Sequence, residues 1–299
     1  MNKLHYSVLL TESVNALKIK ENGIYVDLTL GMGGHSEAIL KNITTGKLYC
    51  FDKDDFALKY SQKRLNLTNS HFELIKSDFK NIKSELNKRG IFKVDGIVAD
   101  LGISSPQVDD KTRGFSYNKD AKLDMRMDTS QSLTAWNVVN EYDEKSIAEI
   151  LWKNADVKLS KKVAKVIIEN RPIDNTLKLV EVIKKAYPAK ILKIKNPAKA
   201  IFQAIRIEVN DELESLKKML NDSTDLLKNG ASLAIITFHS IEDRIVKNHF
   251  KNLIDDKTPS KLPIFVEKKF VAKQIKPTKK EIEENRRSRS AKLRVLLKK

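Results

Sequence analysis

One cysteine, Cys50, stands in 299 residues. It excludes a disulfide within the chain and a metal site built on cysteines. No His, Asp or Glu set has metal-ligand spacing either, so no metal is expected. A Ser/His/Asp arrangement for hydrolysis is also missing. No apolar run is long enough to span a membrane, and Met1-Asn2-Lys3-Leu4-His5 lacks the apolar core of a leader. These absences predict a cytoplasmic protein that uses neither metal nor membrane.

Negative charge is in short supply: 39 Asp+Glu face 56 Lys+Arg, a formal net charge of +17. Such a surplus favours a polyanionic partner, nucleic acid first. Compositional drift toward Lys, Ile and Asn is the plainer source of part of it. With 41% hydrophobic and 32% charged residues the chain can build a core. Its length suits one domain plus an insertion.

The stretch Ile24-Tyr25-Val26-Asp27-Leu28-Thr29-Leu30-Gly31-Met32-Gly33-Gly34-His35-Ser36 reads as strand, glycine turn and helix start, the usual cradle for a nucleotide-like ligand. The dinucleotide fingerprint requires a glycine where Ser36 stands, so pyrophosphate fits poorly. S-adenosylmethionine (SAM) suits the wider loop, because its amino-acid tail lies there. The next strand, Lys47 to Phe51, delivers Asp52 about 20 residues beyond the loop, where a carboxylate reaches ribose hydroxyls. An ordinary turn with an incidental Asp remains the alternative. His71 to Ile75 reads as a third strand; Phe79 beyond it could stack on adenine or pack in the core, and Asp78 could accept from adenine's amino group. Val94 to Ala99 is a fourth strand, delivering Asp100-Leu101-Gly102-Ile103-Ser104-Ser105-Pro106-Gln107 to the carboxyl edge, where open α/β sheets place their chemistry.

The next sheet strand is Ala231 to Phe238, with Asn229-Gly230 as a helix stop before it. The gap from Leu101 is about ten times what a parallel crossover needs. A long helix or kinked pair from Pro197 to Leu227 supplies the crossover. The rest should be an inserted helical subdomain with helices over Ala135–Val139, Lys145–Trp152, Ser160–Arg171 and Thr176–Tyr187, and Asp143 and Thr176 as N-caps. The boundaries read 1–105 with 196–299 for the sheet domain and 106–195 for the insert. Ile264-Phe265-Val266 and Ala291 to Leu297 are late strand candidates. Arg286, Arg287, Arg289, Lys292 and Arg294 suggest a basic face for RNA.

Six blocks in order resemble the RsmH (MraW) family: Leu30-Gly31-Met32-Gly33-Gly34-His35-Ser36, Asp100 to Gln107, Arg113-Gly114-Phe115-Ser116-Tyr117, Leu123-Asp124-Met125-Arg126-Met127-Asp128, Phe202-Gln203-Ala204-Ile205-Arg206, and Phe238-His239-Ser240-Ile241-Glu242-Asp243-Arg244. The resemblance implies a SAM-dependent methyltransferase acting on the N4 amino group of one cytidine at the decoding centre, the P site, of bacterial small-subunit (16S) ribosomal RNA. It implies a class I methyltransferase fold, α/β and mostly parallel, with an inserted all-helical subdomain. SAM contacts are implied at Gly33, Gly34, His35, Asp52, Phe79, Asp100 and Gln107. The partner is the ribosomal RNA or the small subunit; oligomeric state is open, a homodimer included. One block departs from the family's Gly-Glu-Glu: Asn154-Ala155-Asp156-Val157-Lys158.

Asp100 is the first candidate to accept a proton from the amine. Ser104 belongs to the same segment, in a place where nucleic-acid amino-methyltransferases carry an Asp/Ser-Pro-Pro-Tyr motif, here without the second Pro and the Tyr. His239 is either a capping or a pocket residue, and is the next candidate for proton acceptor. Arg113, Asp124, Arg126 and Asp128 are either an internal salt-bridge network or substrate contacts. The rivals to this reading are a nicotinamide dehydrogenase, a non-catalytic RNA-binding protein and an N4-cytosine DNA methyltransferase.

Overall fold

The computed structural model describes residues 7–194, 196–255 and 268–299. The chain divides into two compact units, Met1–Gly102 with Ser215–Lys299, and Ile103–Glu214.

In chain order the first unit begins α1 (Leu10–Leu17), β1 (Ile24–Asp27), α2 (Gly34–Leu40), β2 (Lys47–Asp52), α3 (Asp55–Leu65), β3 (Phe72–Lys76), a 3-10 turn (Phe79–Asn81), α4 (Ile82–Asn87) and β4 (Val94–Asp100). The second unit holds α5 (Ser105–Asp109), α6 (Ala135–Glu141), α7 (Glu144–Ala155), α8 (Ser160–Glu169), α9 (Thr176–Lys185), α10 (Ala189–Ile194) and α11 (Ala198–Val209). Helix α12 (Glu212–Leu226) carries the chain back to β5 (Leu227–Thr237), α13 (Ser240–Ile254), β6 (Phe270–Ile275), α14 (Lys279–Glu284) and β7 (Lys292–Lys298).

The sheet order is β3-β2-β1-β4-β5-β7-β6. Strands β1 to β5 pair in parallel, and β7 is antiparallel to both β5 and β6. This is the mostly parallel class I methyltransferase sheet. The inner strands are near-continuous apolar runs because helices cover both faces. Val26, Tyr49, Phe51, Ile97 and Ile235 face one core with α4, α12 and α13. Tyr25, Leu48, Cys50, Val98 and Ala234 face the other with α1, α2 and α3. Fully burying a side chain such as Phe51 contributes about 1.5–3 kcal/mol, against about 0–1 for an exposed ion pair, so these two layers hold the unit.

The helical unit has its own core, which includes Leu123, Met125, Leu151, Ile167, Ile183 and, from α11, Ile201 and Ile205. Helix α11, expected in the sheet domain's crossover, therefore packs inside the helical unit. Of the two forms expected from Pro197 to Leu227, one long helix or a kinked pair, the chain takes the second: it breaks at Asn210-Asp211, where Asp211 takes φ 50.

Two local expectations are corrected. Asn229-Gly230 does not stop a helix: it lies inside β5, in a bulge between the Val94–Leu227 and Gly96–Ser232 pairings. Gly230 there has φ 82, the left-handed backbone that glycine accepts. The N-cap of α9 is Asn175, not Thr176; the buried Thr176 hydroxyl donates to Lys119 O and accepts from Ala121 N. Strand β6 was not foreseen, and Ile264-Phe265-Val266 lies outside the described residues.

Candidate active site

The glycine turn follows β1. Leu28 N donates to Val98 O and Leu30 N to Phe51 O, each at 2.9 Å, so the segment leaves β1 held between its two neighbours. Gly31 and Gly33 then take φ 48 and 76. A β-carbon on Gly33 would meet Ser61 Oγ at 3.1 Å, and one on Gly34 would meet Ser7 Oγ at 1.9 Å. Crowding at Gly34 and the left-handed backbone at Gly33 thus favour glycine at both positions.

Two carboxylates stand at strand ends on either side of this turn. Asp52 ends β2; its Oδ2 accepts from Gly31 N and its Oδ1 from Asp54 N, each at 2.9 Å. Burial pushes its carboxyl up to about 6, although those two N–H groups pull the other way. Asp100 ends β4. Its backbone N–H donates to Thr29 Oγ1 at 2.6 Å, while its Oδ1 is buried with no hydrogen-bond partner among the described residues. Burial, then the Asp27 and Glu242 carboxylates, pushes Asp100 well above the ordinary carboxylate range. His35, in the first turn of α2 and 5% exposed, has Nδ1 4.0 Å from Asp100 Oδ2.

Sequence reasoning gave Asp27 no role, yet it anchors this arrangement. It is buried, accepts from Ser36 Oγ at 2.6 Å and from Thr29 N at 3.0 Å, and so fixes the residue whose hydroxyl holds Asp100. The only cue was an acid inside an apolar strand. Phe79 is half-buried against the sheet core. Asp78 is already engaged, by Lys80 N at 3.0 Å and Lys53 Nζ at 3.1 Å, which disfavours it as the acceptor for an adenine amine.

His239 caps α13. Its Nδ1 accepts from Glu242 N at 3.4 Å, and its Nε2 lies 2.9 Å from Glu242 Oε1. Nδ1 serving as acceptor assigns the proton to Nε2, a buried atom with no hydrogen-bond partner among the described residues; capping α13 is the duty that the structure shows for this ring. In the helical unit, Ser104 and Gln107 close a capping box on α5: Ser104 N donates to Gln107 Oε1 at 3.0 Å and Gln107 N to Ser104 Oγ at 3.4 Å. That bond gives the Ser104 hydroxyl a structural duty. Among the described residues no group of three or more His, Cys, Asp or Glu could hold a metal ion, and no helix is long and apolar enough to cross a membrane.

The family model described as the MraW methylase family matches residues 2–299. The chain belongs to the MraW methylase family. It is similar to proteins named ribosomal RNA small subunit methyltransferase H from Mycoplasmopsis agalactiae (59% identical over 298 residues, 100% of this chain and 99% of that one) and Mycoplasmopsis synoviae (57% over 298 residues, the same shares). A third, from Metamycoplasma arthritidis, is 55% identical over 284 residues, 94% of this chain and 99% of that one.

Other residues that the MraW resemblance drew attention to carry structural duties. Arg126 forms a bidentate pair with Asp124 at 2.9 and 2.7 Å. Arg113 Nη2 donates to Arg126 O and Met127 O, at 2.9 and 3.1 Å, and Asp128 accepts from Ser130. Within the departed block, buried Asn154 donates from Nδ2 to Ala204 O at 3.3 Å, tying α7 to α11. Of the expected basic face, Lys292 and Arg294 pair with Asp243 at 2.7 and 2.6 Å, fixing β7 to α13; Arg286, Arg287 and Arg289 are exposed.

Proposed function

We propose that this chain transfers the methyl group of SAM to the N4 amino group of one cytidine at the decoding centre, the P site, of small-subunit ribosomal RNA. The sheet unit holds the cofactor and the helical insert recognises the substrate. The observation that carries the reading is the pair Asp52 and Asp100 at the carboxyl ends of β2 and β4, the two strands that flank β1 and its Gly31–Gly34 turn, with Asp100 Oδ1 buried and unpartnered among the described residues. The names of the relatives support ribosomal RNA as the substrate.

The residues present fit SAM. Gly33 and Gly34 offer bare backbone, Asp52 a carboxylate with acceptor capacity beyond its two N–H bonds, and Phe79 a half-buried ring; His35 and Asp100 line the same turn. When bound, SAM supplies an electrophilic methyl on a sulfonium, so neither metal nor covalent intermediate is required. Cytosine N4 is a weak nucleophile because its lone pair is delocalised into the ring. Asp100 accepts a hydrogen bond from N4–H at Oδ1, which localises that lone pair, and takes up the proton as the nitrogen reacts. Asp27 and Thr29 hold Asp100 in place while this happens. The base has to leave its stack for the amine to align. Incubating the protein with small subunits and labelled SAM, followed by mass spectrometry of ribosomal RNA nucleosides, tests the reading: labelled N4-methylcytidine is expected, and its absence with label elsewhere refutes the site of transfer.

A further inference from the structure

At the amino-terminal edge of the sheet, opposite the edge that carries Asp52 and Asp100, the sheet unit has a cavity of about 500 Å³. Strand β4 runs from beside it to Asp100, so the two places are about 20 Å apart. Its walls include Lys83, Lys93, Lys298, Phe92, Phe270 and Asp225. Three ammonium groups therefore face one carboxylate. Lys83 Nζ lies 2.9 Å from Asp225 Oδ2, Lys93 Nζ donates to Asp225 O at 2.6 Å, and Lys298 Nζ donates to Leu227 O at 3.0 Å.

Of these bonds, the one from Lys93 closes the carboxyl end of α12, a common duty for lysine, and the one from Lys298 reaches the first residue of β5. They use one N–H of each ammonium and leave two. Helix capping does not explain why three cations gather, or why an aromatic ring stands beside them in solvent: Phe92 is 64% exposed. Burial, and next the Lys93 ammonium, pushes Lys298 below the usual lysine range, a repulsion that a bound anion would relieve. Phosphates beside a base need this combination of cations and a flat exposed ring. An acidic protein segment would satisfy the lysines and leave the ring unexplained.

We propose that this cavity is a second RNA contact, in which phosphates of a single-stranded segment lie on Lys83, Lys93 and Lys298 and one base stacks on Phe92. The proposal rests on the reading that ribosomal RNA is the substrate, and adds a contact remote from methyl transfer.

Anisotropy of a short labelled single-stranded RNA, titrated with the full chain at several salt concentrations, tests it. Phe92→Ala should weaken binding by about five- to tenfold. Lys83→Ala with Lys93→Ala should weaken it and flatten the slope of log K against log salt by roughly 1.4, about 0.7 for each phosphate contact in a single strand. Asp225→Asn should tighten binding. SAM affinity by calorimetry should stay unchanged throughout. Because Lys93 also caps α12 and Lys83 pairs with Asp225, Phe92→Ala is the cleaner probe if the double variant folds poorly. Wild-type affinity and slope in both variants overturn the proposal. So does a variant that loses labelled polyglutamate binding while keeping RNA binding, which assigns the cavity to an acidic protein. Nucleoside mass spectrometry separates the two readings. A wild-type chain that binds RNA here but transfers no methyl supports the cavity and defeats the proposed function; one that methylates while both variants bind as wild type does the reverse.

Discussion

Asp100 in the sheet unit and Asp124 in the helical unit are both half-buried, and their surroundings treat them oppositely. Burial pushes Asp124 up, but the Arg126 guanidinium and the Arg126 backbone N–H overrule it and hold the carboxyl below the usual range. Asp100 has His35 Nδ1 at 4.0 Å from Oδ2 and no guanidinium or ammonium pair among the described residues; burial and two neighbouring carboxylates push it up. A half-buried acid with a bidentate partner is satisfied and serves the scaffold. An acid left with one buried, open oxygen is maintained at a cost in stability, which is the mark of a functional group. The contrast also divides residues that the sequence treats alike, since both acids sit in blocks shared with the same family.

The largest effect expected is on turnover. Asp100→Asn keeps the size and loses the ability to take a proton, so kcat should fall by about 100-fold or more, with SAM affinity changed much less. If single-turnover rates at saturating SAM are unchanged while SAM affinity drops, Asp100 is a cofactor ligand and the proton leaves by another route.

Asp52 comes next. Asp52→Ala should weaken SAM binding by about ten- to a hundredfold, on the order of 1.5–3 kcal/mol for hydrogen bonds to a charged group. Some of that loss arises through Gly31, whose N–H Asp52 also holds. Since burial raises its carboxyl to about 6, wild-type SAM affinity should weaken as pH falls through about 6, where the carboxylate takes a proton. Calorimetry from pH 5 to 8 checks this; a flat profile would remove the ionised Asp52 from the binding step.

Much of this site is legible without coordinates, and the reasons are physical. Strands β1, β2 and β4 are apolar runs ending in Asp, because a parallel sheet covered on both faces demands the runs and its carboxyl edge exposes the ends. What stayed hidden depends on tertiary contact. Asp27 matters through Ser36 and Thr29, and Asp100 meets Thr29 across 71 positions of chain. Asn229-Gly230 is equally good chemistry for a helix stop and for a bulge, and only the pairing with β4 decides. Strand β6 escaped because it is an edge strand with Lys273 and Gln274 in it. Helix α11 adjoins the sheet domain in the sequence, and chain order cannot say which core Ile201 and Ile205 enter.

The helical unit should respond through stability alone. Asp124→Asn breaks the bidentate pair and leaves Arg126 half-satisfied, costing on the order of 1–3 kcal/mol, read by chemical denaturation. The folded fraction should keep the wild-type single-turnover rate. A drop in that rate at unchanged stability would move Asp124 from scaffold to substrate contact and erase the contrast with Asp100.

The smallest effect expected is the most direct probe of that contrast. Without SAM or RNA, Asp100 should be a liability to the fold. Its folded-state carboxyl titrates above its unfolded value, so between the two the folded chain binds more protons than the unfolded one. Stability contributed by the protonated form is fully present below the unfolded value and is lost as pH rises toward the folded one. Asp100→Asn has no such proton to lose. Ligand-free Asp100→Asn should therefore match wild type near pH 4 and exceed it at pH 8, by on the order of 1 kcal/mol, the scale of an unsatisfied buried polar group. Denaturation of both chains across that range checks the sign. A variant less stable than wild type at pH 8 would mean that the Asp100 carboxylate is held by favourable contacts in the free protein, and that its open oxygen is not the feature that separates it from Asp124.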